Sequence, residues 1–153
     1  EVSNLIFAIP NDKKNQKLKF YLEKKKIPYF LGSNNNVLER YYNCAKKLKS
    51  DVIIRITADC PFADPSLIKN FLYEFNSSKV DYLSNTIFPT YPNGFDIEIF
   101  NFKTLEKTFK LAKSNHDKEH VTSFIKNNPN HFKLKNLVYK KNFLYNSKIY
   151  PFL

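Results

Sequence analysis

Residues 53–65, IIRITADCPFADP, decide the fold because they lead from an apolar strand through a loop to the start of a helix. The apolar residues of this strand do not alternate with polar ones, which is typical of a strand covered on both faces in a parallel sheet. Asp64 followed by Pro65 matches a helix N-cap and a first helical position. Ligands bind beyond the carboxyl ends of the strands in such sheets, so Asp59 is the first candidate site residue.

Strands and helices alternate along the rest of the chain. Short apolar runs bounded by turn residues predict strands, and apolar residues at helical spacing predict helices. The predicted strands cover about residues 5–9, 28–31, 51–57, 80–84, 96–100 and 132–138, and the predicted helices cover 13–25, 36–48, a segment from Asp64 onward, 102–113 and 117–127. This order predicts an α/β fold, a three-layer α/β/α arrangement with a mostly parallel sheet, and 153 residues suit a single domain, 1–153.

The chain carries a formal net charge of +11. Its lysines are spread along the sequence in short runs, which favours a solvated surface and leaves nucleic-acid binding as the lesser alternative, so no nucleic-acid partner is expected. No apolar run reaches the length of a membrane span and no signal peptide is visible, so we expect a cytoplasmic protein with no membrane partner. The 2 glycines exclude a glycine-rich phosphate loop, and Cys44 and Cys60 lack the CxxC spacing of a metal or redox motif.

Two charged residues of the opening stretch have competing explanations. Asp59 could hold a magnesium ion that carries phosphates, or it could cap a turn, as aspartates at strand ends commonly do. Arg55 stands inside the apolar strand, where a buried charge is costly unless it is paired. We expect a structural ion pair with an acidic neighbour, and direct contact with a ligand is the lesser alternative.

A second group of polar residues surrounds Gly94. Because the chain has only 2 glycines, Gly94 predicts a special backbone geometry. Asp96 and Glu98 lie two positions apart in a predicted strand and therefore share a face. Two acids on one face repel each other unless a metal, an arginine or a polyhydroxyl ligand lies between them. The alternative is a solvent-exposed strand edge.

Two further short motifs carry chemistry only in combination with the others. Glu119-His120 could line a cleft, and the alternative is the end of a surface helix with one neutral histidine. Gly32-Ser33 leads into the helix that carries Arg40, and the alternative for Arg40 is an ordinary exposed helix charge.

Five stretches together resemble the cytidylyltransferases typified by the spore-coat polysaccharide biosynthesis proteins, relatives of acylneuraminate and 3-deoxy-manno-octulosonate cytidylyltransferases. The matching stretches are GSNNNVLERYY, IIRITADCPFADP, DYLSNT, YPNGFDIEIF and EHVTSFI, in the family's order and spacing over about residues 3–138. The resemblance implies a Rossmann-like nucleotidyltransferase fold of the GT-A type. It also implies magnesium-dependent transfer of CMP from CTP to a sugar or sugar acid, with release of pyrophosphate, for surface polysaccharide or glycan synthesis.

The resemblance also implies roles for individual residues. Asp59 matches the family's catalytic, Mg²⁺-binding aspartate near the α-phosphate. The implied nucleotide-binding residues are Ser33, Arg40, Thr57 and Asp59, and the implied acceptor-binding residues are Asn85, Asp96, Glu98, Glu119 and His120. The implied partners are CTP and the sugar or sugar-acid substrate, and we also expect a homodimer.

Two features of the family are expected to lie outside this sequence. Members begin with a strand and a phosphate-gripping loop that contains Gly, Arg and Lys, and they carry a second acidic cluster near the C-terminus. We therefore expect a domain truncated at both ends, with no or very weak cytidylyltransferase activity from these 153 residues alone. A non-catalytic nucleotide- or sugar-binding relative is the alternative function, ahead of a basic nucleic-acid-binding domain.

Overall fold

The computed structural model describes residues 2–139, which form two compact units. The first unit comprises the residues up to Ile53 together with Phe100–Lys133. The second unit comprises Ile54–Ile99 together with the described residues from Leu134 to Tyr139. The prediction of a single domain over residues 1–153 stays a prediction.

Strands and helices alternate in the described residues, as the apolar periodicity predicts. In chain order the elements are β1 (Phe7–Pro10), a 3₁₀ turn (Lys13–Asn15), α1 (Gln16–Lys24), β2 (Tyr29–Gly32), α2 (Val37–Lys47), β3 (Val52–Arg55), α3 (Pro65–Ser77), β4 (Tyr82–Ser84), β5 (Glu98–Asn101), α4 (Phe102–Leu111), α5 (Asn115–Glu119), α6 (Ser123–Asn127) and β6 (Leu134–Asn136). Strands β1 and β2 pair in parallel, and so do β4 and β6. The predicted α/β class with parallel strands is therefore confirmed.

The first unit is built on two parallel strands against which α2 packs. β1 and β2 pair in register, with Phe7 opposite Tyr29. α2 begins after Asn36, whose side-chain oxygen accepts a backbone N–H of the first turn and so caps the helix. The ring of Tyr42 on α2 stacks on Phe109 of α4, with ring centroids 4.3 Å apart. These contacts fix α2, and with it the loop that follows β2.

In the second unit, α3 begins where the sequence predicts. The side chain of Asp64 accepts the backbone N–H groups of Ser66 (2.8 Å) and Leu67 (3.2 Å), and Pro65 is the first helical residue. Proline fits this position because its missing N–H would have no partner inside the helix. The loop that contains Asp59 therefore ends at a fixed point.

The core of the second unit lies between α3 and the strands. The four-stranded sheet has the order β3-β5-β4-β6. A cluster of buried apolar side chains fills this core. Burying one large apolar side chain contributes about 1.5–3 kcal/mol, so the cluster supplies most of the driving force for folding of the unit. Its buried members are Leu67, Phe71, Phe75, Leu83, Phe95, Ile97 and Ile99.

Two local predictions need correction. The helix predicted over 117–127 is two short helices, α5 and α6, separated by residues 120–122. At the break His120 has a φ of −101° and a ψ of 52°, outside the helical region, and its carbonyl accepts the N–H of Ser123 at 2.7 Å. The faces of β3 are not fully covered either, because Val52 is 38% exposed and the other three residues of the strand are only half-buried.

Within residues 2–139, none of the helices is both long and apolar enough to cross a lipid bilayer.

Candidate active site

The turn that follows β3 presents Asp59 to solvent. The carbonyl of Thr57 accepts the N–H of Cys60 (3.0 Å), and the Thr57 hydroxyl lies 3.3 Å from the Cys60 sulfur. Cys60 is buried and anchors the turn, whereas Asp59 is exposed. Interaction with the Thr57 side chain lowers the pKa of Asp59 below its ordinary value, and the charge of Arg55 acts in the same direction. The turn therefore holds an ionised carboxylate at the end of the strand.

The expected ion pair of Arg55 is confirmed, and its partner is Glu98. One Glu98 oxygen pairs with the Arg55 guanidinium, and the other accepts a hydrogen bond from the Tyr82 hydroxyl at 2.6 Å. Glu98 is buried and Tyr82 is fully buried. Burial together with the Glu98 charge raises the pKa of Tyr82, so its hydroxyl stays protonated and acts as a donor. The role of Glu98 in acceptor binding stays a prediction, and both of its oxygens have partners inside the second unit.

Asn85 fastens the segment that carries Asp96. Its side-chain nitrogen donates to the carbonyl of Phe95 (2.9 Å), and its side-chain oxygen accepts the N–H of Ile97 (3.0 Å). Asn85 is 2% exposed, while Asp96, between the two bonded residues, is exposed. The predicted contact of Asn85 with the acceptor remains a prediction, and its amide visibly supports Asp96.

The sequence reasoning missed Phe62, which lies three residues after Asp59. Its backbone N–H donates to the carbonyl of Gly94 (3.1 Å), and its ring stacks on Phe95 with centroids 5.5 Å apart. Gly94 has a φ of 92°, and a Cβ there would lie 2.7 Å from Phe62 Cδ2. The predicted special geometry of Gly94 is confirmed. The available signal for Phe62 was an aromatic residue directly after the turn that carries the candidate carboxylate.

The first unit contains a buried arginine without a carboxylate partner among the described residues. Arg40 is 8% exposed, and its guanidinium donates to the carbonyl of Ser33 at 2.5 Å. Its Nε is buried and has no hydrogen-bond partner. Burial lowers the pKa of Arg40, as expected when a charged form is taken out of water. The alternative of an ordinary exposed helix charge is therefore wrong.

The loop around Ser33 is shaped to hold this arginine. The Ser33 hydroxyl accepts the N–H of Asn36 at 3.0 Å, which ties the loop to the start of α2. A Cβ on Gly32 would lie 2.6 Å from Arg40 Cγ, so only glycine permits this close approach. Gly32, Ser33 and Arg40 thus form one local structure at the carboxyl end of β2.

Glu119 and His120 lie at the exposed end of α5. The rings of His120 and His116 are 4.5 Å apart. The side chain of Asp117 accepts hydrogen bonds from Ser114 and Ser123, each at 2.6 Å, and so holds α5 to the start of α6. α5 packs against α2 inside the first unit.

The predicted site residues thus divide between the two units. The first unit holds Ser33, Arg40, Glu119 and His120, and the second holds Thr57, Asp59, Asn85, Asp96 and Glu98. Among residues 2–139 there is no group of three or more His, Cys, Asp or Glu side chains arranged to bind a metal ion.

Comparison with known proteins identifies the family. Residues 12–152 match the model of the cytidylyltransferase family. This match covers most of the chain, so the chain belongs to the cytidylyltransferase family, and the family prediction is confirmed.

Two curated relatives support this membership. A spore coat polysaccharide biosynthesis protein of Bacillus subtilis, SpsF, is 31% identical over 127 residues, which are 82% of this chain and 52% of that protein. An uncharacterized protein of Methanocaldococcus jannaschii is 40% identical over 110 residues, which are 71% of this chain and 43% of that protein. The chain therefore spans about half the length of the curated relatives it matches.

Solved structures confirm the predicted fold. A cytidylyltransferase from Leptospira borgpetersenii serovar Hardjo-bovis superimposes with a TM-score of 0.81 at 26% identity, covering 88% of this chain and 57% of that one. A CMP:2-keto-3-deoxy-manno-octonic acid synthetase complexed with CTP superimposes with a TM-score of 0.65 at 9% identity, covering 90% of this chain and 73% of that one. The second likeness supports the fold alone.

Proposed function

We propose that this chain takes part in transferring CMP from CTP to a sugar or sugar acid, with release of pyrophosphate, for polysaccharide or glycan synthesis. The observation that carries the proposal is the exposed, ionised carboxylate of Asp59 at the carboxyl end of β3, in a chain that belongs to the cytidylyltransferase family. In α/β folds this edge of the sheet is where ligands bind.

Asp59 is the residue that would hold Mg²⁺. Mg²⁺ is commonly bound by one or two carboxylates together with substrate phosphates and water, so a single exposed aspartate fits such a site. The ion would neutralise charge that develops on the phosphates during transfer. Thr57 and Cys60 keep the carboxylate in place through the turn that they close.

Arg40 and Ser33 are the residues that would hold the nucleotide in the first unit. A buried guanidinium with an unbonded Nε loses the hydration of its charge and gains little in return. A nucleotide oxygen that accepts from the charged guanidinium would form a hydrogen bond of the kind that is worth about 1.5–3 kcal/mol. The loop from Gly32 to Asn36 supplies the rigid support for that contact.

The acceptor sugar is assigned to Asp96 in the second unit, and acceptor binding by Glu119 and His120 stays a prediction. Carboxylates accept hydrogen bonds from sugar hydroxyls. Asp96 is exposed, and the side chain of Asn85 bonds the backbone of the residues on either side of it. Asn85 and Glu98 are assigned supporting roles, because their polar atoms are already bonded to neighbouring groups.

Thermal stabilisation by CTP tests the proposal. CTP with Mg²⁺ should raise the melting temperature of the native chain, and Asp59→Asn should lose most of that rise. Without Mg²⁺ the two proteins should respond alike. Glu106→Gln, which neutralises an exposed carboxylate on α4, is the matched control and should behave as the native chain does. Equal shifts for the native chain and Asp59→Asn would remove Asp59 from the site.

A further inference from the structure

Phe62 is an exposed aromatic residue that is held in place by its neighbours. It follows Asp59-Cys60-Pro61 in the loop after β3, and it is 51% exposed. Single exposed apolar residues are common on protein surfaces and by themselves call for no explanation. The way in which Phe62 is held does call for one.

Contacts of both its ring and its backbone hold Phe62 in place. It stacks on Phe95 with a 25° interplanar angle, and its backbone N–H is bonded to the carbonyl of Gly94. Gly94 adopts a positive φ that other residues rarely adopt, and a side chain there would collide with the ring. One of the 2 glycines of the chain thus accommodates an aromatic ring that keeps half of its surface exposed.

The loops around Phe62 are acidic in a strongly basic protein. Residues 56–64 and 84–97 contain three carboxylates, those of Asp59, Asp64 and Asp96, and neither lysine nor arginine, although the whole chain carries +11. Asp64 caps α3, whereas Asp59 and Asp96 are exposed to solvent. An exposed aromatic ring beside carboxylate acceptors matches the two surfaces of a sugar, whose C–H groups are apolar and whose hydroxyls are donors.

We propose that Phe62 is a specificity residue that stacks on the apolar face of the acceptor sugar ring while Asp96 accepts hydrogen bonds from its hydroxyls. This inference rests on the proposed function and names the acceptor side of the same site. The sugar is favoured over the cytosine ring because Phe62 is fastened to Gly94 and Phe95, which lead directly into Asp96.

The absence of tryptophan from the chain provides a clean probe. Phe62→Trp places the only tryptophan on the proposed platform, and Tyr73→Trp places it at another exposed aromatic position, on α3 of the same unit. Emission is recorded with CTP and Mg²⁺ alone, and again after addition of N-acetylglucosamine, N-acetylneuraminate or 3-deoxy-manno-octulosonate. We expect at least one sugar to change the emission of the Phe62→Trp protein, CTP alone to leave it unchanged, and the Tyr73→Trp protein to respond to none.

A second variant guards against a folding defect. Phe62→Leu keeps the apolar contact with Phe95 but removes the flat ring, so it should weaken binding of the responding sugar roughly three- to tenfold and leave CTP stabilisation unchanged. A response of the Phe62→Trp protein to CTP alone would assign the ring to the base and overturn the proposal. Silence toward all three sugars, while CTP still stabilises the protein, would also overturn it. If CTP does not stabilise the native chain but a sugar still changes the emission of the Phe62→Trp protein, the result would count against the proposed function alone.

Discussion

Arg55 is the last residue of β3, and Arg40 lies on α2, the helix that follows β2. The surroundings of the two charges nevertheless differ. Arg55 is neutralised by Glu98, which is itself held by Tyr82. Arg40 is 8% exposed, donates to one backbone carbonyl, and has no carboxylate within ion-pair distance among the described residues. The charge of Arg55 has a carboxylate partner inside the folded protein, whereas a buried charge without one marks a place where an external acceptor would be favourable. The comparison therefore gives Arg55 a structural role and is consistent with the nucleotide-binding role proposed for Arg40.

Removing Glu98 should produce the largest effect on stability. Glu98→Leu leaves Arg55 partly buried without this carboxylate, which should lower the free energy of unfolding by about 3 kcal/mol. The double variant Arg55→Met/Glu98→Leu should recover part of that loss, because the unpaired charge is gone while the buried Tyr82 hydroxyl still lacks Glu98 as its acceptor. Urea denaturation of the single and double variants measures both values. A double variant no more stable than Glu98→Leu would mean that the pair is not the source of the effect.

The existence of an Arg55 partner could be predicted from the sequence, but its identity could not. Ion pairing follows from the cost of a charge in an apolar strand, whereas Glu98 is 43 residues away and reaches Arg55 only through the order of the strands. Local signals performed better: Asp64 and Pro65 set the start of α3 through their own hydrogen bonding and geometry. Phe62 escaped prediction because a loop residue belongs to no periodic pattern, and the burial of Arg40 depends on the approach of Gly32.

The close contact between Gly32 and Arg40 should give the next largest effect. Gly32→Ala places a methyl group 2.6 Å from Arg40 Cγ, and such overpacking should cost about 2 kcal/mol of unfolding free energy. In an Arg40→Ala background the Cγ atom is absent, so the same change should cost less, although the contacts with the Cβ of residue 40 (3.0 Å) and with Phe30 Cε1 (3.2 Å) remain. A double-mutant cycle by chemical denaturation measures this coupling. Equal costs in both backgrounds would show that Gly32 is required for its backbone and not for the space it leaves to Arg40.

Truncating Arg55 should mainly lower stability, whereas truncating Arg40 should mainly weaken ligand binding. Arg40→Met removes a charge that is attracted by Asp12 but forms no ion pair among the described residues, so the ligand-free protein should change by less than about 1 kcal/mol. Arg55→Met should destabilise the protein because Glu98 loses its cation. Arg40→Met should nevertheless weaken CTP binding about tenfold, the loss of one charged hydrogen bond. Denaturation and calorimetric titration with CTP test the two halves. Unchanged CTP affinity would make Arg40 a purely structural residue.

The smallest effect on stability should come from the exposed ion pair of Glu106 and Lys110. This pair tests whether burial or pairing sets the cost of removing a charge. Glu106 and Lys110 lie one turn apart on α4 with 3.1 Å between their charged atoms, and their side chains are 38% and 64% exposed. Glu106→Gln should change the free energy of unfolding by no more than about 0.5 kcal/mol, because water screens the pair before the substitution and solvates Lys110 after it. The pair of Arg55 and Glu98 is more buried and is screened less. A loss in Glu106→Gln comparable to that in Glu98→Leu would mean that pairing by itself, and not burial, sets the cost, and Arg40 would then no longer stand out as a site that lacks its partner.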